Sequence, residues 1–424
     1  MAQTLDISAV RGRFPALDKE QVYFDNAGGS QILKDVADAV SSYLLNTNVQ
    51  LGASYPIGEL STSSYSTGYQ IASSYVNASP PEIVFGPSTT QLFRNLSQSL
   101  YNHLTPGSEI VLSTLDHEAN LAAWVQLATL RDVTIKWWRP SNPSPNPHLL
   151  SSDLRPLLSD KTKFVACTHT SNILGSISPI AEIAKTVHEF PNALLCVDAV
   201  AYAPHREVDV KALGVDFYAF SWYKVYGPHI AMLYASPRGQ KAMTTLGHFF
   251  KGSETLEDKL GLAAASYELV AGVKPVVQYL QGLGGSEGTE GKVDRAALKK
   301  AWERLALHEE RLQGIVIDYL NSKPHGKEIT IWGEPVADRE RRVPVISFTV
   351  KGWGSKDLVL KVQEKSQGRL GFRWGSFYSN RLVGDVLGLQ DVNDGIVRVS
   401  LVHYNSEEEV KEWVRTLDEV LKGA

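Results

Sequence analysis

Two residues of opposite charge, Asp198 and Lys224, each follow an apolar stretch of the chain. Asp198 comes directly after ALLCV, in the position where the strands of α/β sheets carry ligand-binding groups. Lys224 comes shortly after DFYAFS and stands among aromatic residues, Trp222, Tyr223 and Tyr226. Such surroundings lower the pKa of a lysine amine, and a neutral amine attacks carbonyl carbons to form Schiff bases. Either residue alone is more often a helix cap or a surface cation, but together they indicate chemistry.

A carboxylate buried at a strand end needs a positive partner, and a protonated pyridine nitrogen would be one. A pyridine ring kept cationic by Asp198 acts as an electron sink, and an aldehyde on that ring would bind Lys224 as a Schiff base. The two residues therefore predict a site for pyridoxal 5'-phosphate (PLP), with both of them catalytic.

Polar residues elsewhere would complete such a site. Ser88 and Thr89, in FGPSTTQLFRNL, stand at a predicted helix start, where hydroxyls and free amides bind phosphate. His117 would stack on a flat ring, and Asn172 would reach a ring hydroxyl. Each also has an ordinary interpretation, which is a helix cap, a surface histidine or an Asx turn.

Arg398 lies inside the apolar stretch IVRVSLV and requires an anion if that strand is buried. The α-carboxylate of an amino acid, bound by both guanidinium arms, would satisfy it. A structural ion pair with Asp or Glu would satisfy it equally well, and the sequence leaves both open.

Composition limits the remaining possibilities. The 424 residues are 43% hydrophobic and 21% charged, which is typical of a globular protein with a large core. The net charge of -4 gives no basis for binding nucleic acid or an anionic membrane. The first residues lack the apolar core of a signal peptide, no apolar run reaches roughly 18 residues, and the chain has only two cysteines. We therefore expect a cytoplasmic protein without a metal site or membrane span.

Alternating strands and helices predict an α/β domain with a mostly parallel sheet. The predicted helices include 33–45, 90–103 and 118–130. The predicted strands are 82–86, 109–114, 133–138, 162–170, 193–200, 216–221 and 230–236.

A smaller α+β domain is predicted at the C-terminal end. The glycine-rich stretch 281–291 is the candidate linker, and Asp294 is placed to cap the helix that follows. Predicted strands at 343–350 and 396–402 alternate with helices at 355–366 and 406–421. The predicted organisation is an N-terminal segment packing on the small domain (1–24), a large PLP-binding domain (25–285) and a small C-terminal domain (286–424).

In this order, these motifs resemble the class V aminotransferase family of fold-type-I PLP enzymes, and especially its cysteine-desulfurase-like branch. The similarity runs from FDNAGGSQ (24–31) to VHYNSEEEV (402–410), and FSWYKVYGPHIAMLYA (220–235) is its most specific part. The resemblance implies the fold-type-I transferase fold and a homodimer with its sites at the subunit interface.

The resemblance also implies roles for individual residues. Lys224 would bind the cofactor covalently, Asp198 would pair with its pyridine nitrogen, and His117 would stack on its ring, so all three are predicted to be catalytic. Phosphate ligands are implied at Ser88, Thr89 and Ser221, substrate-carboxylate ligands at Asn172 and Arg398, and a substrate-bordering loop at Asn26, Ala27 and Gly28.

The chain departs from the desulfurases in its cysteines. Those enzymes carry a nucleophilic cysteine on a C-terminal loop, but the corresponding stretch GRLGFRWGSFYSNRL (368–382) contains none. Cys167 and Cys196 both fall in predicted buried strands, where thiols are usually inert. The sequence therefore disfavours persulfide formation.

The expected contacts to the ring and phosphate also differ from the family pattern. Tyr223 stands where the family often has histidine, and it would still bind the cofactor as a hydrogen-bond donor. Ala201 replaces a glutamine or histidine, and Ala264 replaces a threonine that the partner chain often supplies.

We expect an α-amino acid substrate and chemistry at its β-carbon. Some secondary-metabolic enzymes of this branch remove the β-carboxylate of aspartate and join the product to an aldehyde, and that reaction is the leading hypothesis. The aromatic loop RWGSFY (373–378) would line the pocket for the aldehyde acceptor. The alternatives are a C–S lyase acting on cysteine or a cysteine conjugate, an aminotransferase, and an inactive PLP-binding protein.

Overall fold

The computed structural model describes residues 5–142, 144–250, 252–262, 265–286 and 292–423. Its strands are β1 (Val22–Tyr23), β2 (Ile83–Gly86), β3 (Glu109–Ser113), β4 (Thr134–Trp138), β5 (Thr162–Thr168), β6 (Leu194–Asp198), β7 (Phe217–Ser221), β8 (Ala231–Ala235), β9 (Ile329–Trp332), β10 (Val345–Val350), β11 (Leu370–Gly371), β12 (Arg373–Gly375) and β13 (Ile396–Ser400). Its α-helices are α1 (Ile7–Arg11), α2 (Lys34–Asn46), α3 (Pro56–Tyr75), α4 (Thr89–Ser99), α5 (Ala122–Arg131), α6 (Ser151–Leu154), α7 (Ile180–His188), α8 (Val210–Leu213), α9 (Pro237–Ala242), α10 (Leu256–Leu260), α11 (Tyr267–Ala271), α12 (Val273–Leu283), α13 (Arg295–Asn321), α14 (Ser355–Lys365) and α15 (Glu407–Lys422).

The larger sheet has the order β2-β8-β7-β6-β5-β3-β4 within the described residues. The strands from β7 to β4 in that order are parallel, and β8 pairs antiparallel with both β2 and β7. The predicted mostly parallel sheet is thus confirmed. Residues of β5, β6 and β7 are buried almost throughout, which agrees with their unbroken apolar sequences.

The second sheet has the order β12-β13-β10-β9 and is antiparallel. Apolar side chains of α14 and α15 share one core with this sheet, which is the α+β arrangement predicted for the C-terminal part. The N-terminal strand β1 pairs with β11, so the start of the described chain lies beside this part of the molecule. The exact domain boundaries stay a prediction.

Helix α13 belongs to both cores. Trp302 and Leu305, in its first half, pack in the core of the larger sheet, whereas Leu312 and Val316 pack with the second sheet. The predicted cap is confirmed, because the Asp294 side chain accepts a hydrogen bond from the amide of the third helical residue.

The predicted linker at 281–291 starts too early. Its first residues belong to α12, which continues to Leu283, and residues 287–291 lie outside the described part of the chain. The predicted helix at 90–103 is confirmed but ends at Ser99. In the described ranges, every helix is too short or too polar to span a bilayer.

Candidate active site

A cavity of about 110 Å³ lies at the carboxyl end of the larger sheet. Asp198 is the last residue of β6, and Lys224 ends the short 3-10 turn that follows the neighbouring strand β7. The cavity is lined by all the predicted cofactor ligands, Ser88, Thr89, His117, Asn172, Asp198, Ser221, Tyr223 and Lys224. The remaining lining residues are Thr90, Ala119, Thr168, Thr170, Val200 and Ala201. Of these, only Ala201 was named in the sequence analysis. Thr168 and Thr170 were missed, although they stand at the same strand end as Asn172.

Lys224 and Asp198 bring opposite charges to this cavity without neutralising each other. Burial, together with the positive charge of Arg398, lowers the pKa of the Lys224 amine to about 8, against the opposing effect of the Asp198 carboxylate. Burial raises the pKa of Asp198 to about 6, although the amide of Val200 stabilises its carboxylate through a 2.9 Å hydrogen bond. Among the described residues, neither side chain forms an ion pair. Both groups are therefore available to a ligand.

Hydroxyls and a helix start lie at one end of the cavity. The Ser88 hydroxyl caps α4 by accepting a hydrogen bond from the amide of Gln91 at 3.1 Å. The hydroxyls of Thr89 and Ser221 are 2.7 Å apart, so the helix start and the end of β7 converge on one point. Hydroxyls next to free helix amides suit a phosphate.

His117 lines the cavity as a neutral ring. Its Nδ1 accepts a hydrogen bond from the amide of Ala119 at 3.0 Å. Burial, together with the nearby cations Lys224 and Arg398, lowers its pKa to about 4. A neutral imidazole suits the predicted stacking on a cationic heteroaromatic ring, since it adds no like charge.

Arg398 is buried and does have a structural partner. Its Nη2 donates to Asp25 Oδ1 at 2.8 Å, and its Nη1 donates to the carbonyl of Asn172 at 3.2 Å. Its Nε has no hydrogen-bond partner among the described residues, and the guanidinium carbon lies 3.6 Å from the Phe377 ring centroid. The ion pair that the sequence left open is therefore present, and carboxylate binding by Arg398 stays a prediction.

Asn172, which lines the cavity, holds the aromatic loop. Its Nδ2 donates to the carbonyl of Phe377 at 3.0 Å, and its Oδ1 accepts from the hydroxyl of Ser379 at 2.9 Å. The amide of Glu118 donates to the carbonyl of Tyr378 at 2.8 Å. Both polar atoms of the Asn172 side chain are thus engaged by the loop, and its predicted roles toward a ring or substrate stay predictions.

The predicted substrate loop lies against β13. Asn26 Nδ2 donates to the carbonyl of Ser400 at 2.9 Å, and the amide of Ala27 donates to the Ser400 hydroxyl, also at 2.9 Å. A Cβ on Gly28 would lie 3.0 Å from Asp25 Oδ2. These contacts hold Asp25 beside Arg398, and that pairing was not predicted from the sequence.

The positions that depart from the family pattern also surround Lys224. The Tyr223 ring stacks on His229 with centroids 4.9 Å apart, and the Lys224 amine lies 5.9 Å from the Tyr223 ring centroid. Ala201 lines the cavity, as expected for the position that faces the ring hydroxyl. Ala264 lies outside the described residues.

Both cysteines are buried, as their sequence context predicted. Cys167 lies in β5 and Cys196 in β6, and burial raises the pKa of each thiol well above its ordinary value. Neither thiol lines the cavity, so neither is placed to take sulfur from a substrate.

Comparison with known proteins agrees with this geometry. Residues 22–413 match the family described as Aminotransferase class-V. The chain belongs to this family. It is 50% identical, over 99% of its length and 100% of the relative's, to the aminotransferase-like protein FGM3 of Gibberella zeae. It is 40% identical to the cysteine desulfurase-like protein ustD of Aspergillus flavus, over 99% of this chain and 92% of the relative.

Solved structures show the same fold. The cysteine desulfurase of Thermococcus onnurineus superposes with a TM-score of 0.84 over 100% of both chains, at 24% sequence identity. The chain is therefore a PLP-dependent enzyme of fold type I, within the desulfurase-like part of the class V aminotransferase family.

The cavity fits PLP on its own evidence. A buried carboxylate and a buried amine face one space without an ion pair in the described part of the chain, and hydroxyls lie beside a helix start. Asp198 would hold the pyridine nitrogen, Lys224 the aldehyde carbon, His117 the ring face, and Ser88, Thr89 and Ser221 the phosphate.

Proposed function

We propose that the enzyme removes the β-carboxylate of L-aspartate and joins the remaining carbon skeleton to an aldehyde. The overall reaction converts aspartate and an aldehyde into carbon dioxide and a γ-hydroxy-α-amino acid. One new carbon–carbon bond replaces the bond to the departing carboxylate, so no oxidant or reductant is required.

The observation that carries this proposal is the aromatic loop. Where desulfurases carry a nucleophilic thiol, this chain has Phe377 and Tyr378, and Phe377 stacks on the guanidinium of Arg398. A loop of this composition supports an apolar acceptor such as an aldehyde rather than sulfur transfer. The two buried thiols support the same conclusion.

Arg398 and Asn172 would orient the substrate by its α-carboxylate, and the buried Arg398 Nε has no hydrogen-bond partner within the described structure. Fixing the carboxylate determines which bond to Cα lies perpendicular to the cofactor ring. When bound, PLP supplies the electron-accepting ring that makes Cα acidic and activates the β-carbon.

Lys224 would accept the proton from Cα, and Asp198 would keep the pyridine nitrogen protonated. With a pKa of about 8, a sizeable fraction of Lys224 is neutral near pH 8, so its Nζ accepts a proton from Cα. With a pKa of about 6, Asp198 is ionised near pH 7 and would hold the proton on the pyridine nitrogen. The neutral His117, which lines the cavity, would cover one side of the ring and limit water access.

A second candidate is a C–S lyase acting on cysteine or a cysteine conjugate. It draws on the 40% identical relative, whose name is cysteine desulfurase-like protein. Elimination from the β-carbon uses the same lysine and carboxylate clamp and needs no thiol on the loop. Transamination and an inactive PLP-binding protein are the other outcomes that the test distinguishes.

The test incubates the PLP-loaded protein with L-aspartate labelled with ¹³C in the β-carboxylate, together with a simple aldehyde. We expect labelled carbon dioxide and an unlabelled hydroxy amino acid, measured by mass spectrometry. Parallel reactions replace aspartate with L-cysteine. Sulfide from cysteine without turnover of aspartate would favour the lyase, and labelled oxaloacetate would favour transamination. No turnover of either amino acid would indicate an inactive relative.

A further inference from the structure

Two arginines face each other across neighbouring strands beside the site. Arg373 in β12 is the direct cross-strand partner of Arg398 in β13. Like charges at directly opposed positions destabilise an antiparallel pair unless something compensates them. The one carboxylate that pairs with either arginine, in the described part of the chain, is Asp25.

Asp25 is shared unequally. Its Oδ1 lies 2.8 Å from Arg398 Nη2, but its Oδ2 lies 3.5 Å from Arg373 Nη1. Arg398 is 2% exposed in its side chain, whereas Arg373 is 61% exposed. Two cations and one anion leave an excess positive charge, and the exposed Arg373 carries the part that is not compensated.

The Phe377 ring lies close to both guanidinium groups. Its centroid is 3.6 Å from the guanidinium carbon of Arg398 and 5.5 Å from that of Arg373. An aromatic face stabilises cations but provides no hydrogen-bond acceptor for their N–H groups. Among the described residues Asp25, at 3.5 Å, is the one anion beside Arg373, so Arg373 keeps donors free where it lines a groove with Asp25 and Gly28, outside the cavity at Lys224.

From this arrangement we infer that Arg373 is a specificity-determining residue that binds the second carboxylate of a dicarboxylic amino acid, while Arg398 binds the first. This inference rests on the proposed function in taking aspartate as the donor. Unfavourable local arrangements, such as two like charges at opposed positions of a strand pair, are typical of functional sites. The substrate's second negative charge would neutralise the excess positive charge of the pair.

The different exposure of the two arginines suits their different tasks. The α-carboxylate stays on the substrate throughout, so a buried and rigid partner such as Arg398 is appropriate. The β-carboxylate has to leave, and a strong buried ion pair would oppose its loss. A solvent-screened contact to Arg373 selects the dianionic substrate without holding the departing group tightly.

The test measures binding of succinate and butyrate to the PLP-loaded protein by calorimetry, since neither molecule has the amine needed for turnover. Arg373→Gln should weaken succinate binding at least fivefold and leave butyrate binding within twofold. Arg373→Lys keeps the charge and should restore most of the succinate affinity. Arg369→Gln is the matched control, because Arg369 is a nearby arginine that pairs with Glu412 at 3.2 Å.

Unchanged succinate binding in Arg373→Gln would overturn the inference, and so would an equal loss in Arg369→Gln. The proposed function fails in a different way. If succinate binding depends on Arg373 but labelled aspartate releases no carbon dioxide, the subsite stands and the proposed reaction is wrong.

Discussion

At the residue scale, Lys224 and Asp198 share one feature, which is a pKa moved toward the neutral form by burial. The cause is the strand ends of a sheet covered on both faces, where water is scarce. Such shifts are typical of functional groups rather than of surface ion pairs. Both residues could be found from sequence because each ends an apolar strand. That neither residue forms an ion pair in the described structure could not be predicted from the sequence.

The lowered pKa of Lys224 predicts how fast the enzyme takes up its cofactor. Only the neutral amine attacks the PLP aldehyde, so the rate should follow the neutral fraction of Lys224. With a pKa of about 8, the rate should rise about twofold between pH 8 and pH 10. An unshifted lysine would give a rise of roughly 75-fold. Stopped-flow absorbance after adding PLP to the cofactor-free protein measures this, and a steep rise above pH 9 would refute it.

Arg398→Ala should raise the KM for aspartate more than tenfold, which corresponds to about 1.4 kcal/mol or more. The reason is the loss of a charge-assisted contact to the α-carboxylate. Arg398→Lys keeps the charge without the bidentate geometry, so its KM for aspartate should lie between those of the wild type and Arg398→Ala. A variant with lowered Tm and unchanged KM would show that Arg398 serves only its ion pair with Asp25.

At the element scale, the aromatic loop is held in an unusual backbone conformation. Phe377 has φ 49° and Tyr378 has φ 59°, so two consecutive non-glycine residues adopt the left-handed region. Each such residue costs about 1–2 kcal/mol. The contacts to Asn172 and Glu118 offset that cost, and strain held in this way is typical of segments at functional sites.

Phe377→Ala should lower kcat/KM for the aldehyde about tenfold or more. The reason is the loss of the aromatic ring beside Arg398, which is the apolar surface proposed to contact the aldehyde. Release of carbon dioxide from aspartate without an acceptor should change much less. Leu130→Ala is the control, since Leu130 in α5 is 69% exposed and lies outside the loop. Equal kinetics in both variants would exclude the loop from acceptor binding.

The sequence predicted strands more reliably than helices. Strands β5 to β7 were evident because both faces are buried, which gives unbroken apolar runs. Helix α3 was missed because PIGELSTSSYSTGYQIASSY is rich in serine and threonine and poor in strong helix formers. Packing stabilises it instead, since Tyr69, Ile71 and Tyr75 are buried in the main core.

At the scale of the whole molecule, the site joins distant parts of the chain. Asp25 and Arg398 are 373 positions apart yet form an ion pair. Sequence reasoning brought Lys224, Asp198 and the phosphate ligands together because the strands of one sheet place their ends side by side. It had no such rule for contacts between the N-terminal loop and the second sheet, which depend on how the two sheets pack.

The family resemblance predicts a homodimer with its sites at the subunit interface. Phe249 is 99% exposed and Phe250 is 71% exposed, which is unfavourable for an isolated chain in water. Light scattering should give a mass of about twice 46.6 kDa. A fully active monomer at low concentration would contradict this prediction.

The most direct test of the account asks which lysine carries the cofactor. The PLP-loaded protein is reduced with borohydride, which fixes the cofactor to its amine, and is then digested and mapped by mass spectrometry. We predict the added pyridoxyl-phosphate mass on Lys224 alone, and loss of the visible cofactor absorbance in a folded Lys224→Ala variant. A label on another lysine, or an unchanged absorbance in that variant, would show that the cavity at the end of β6 and β7 is not the active site.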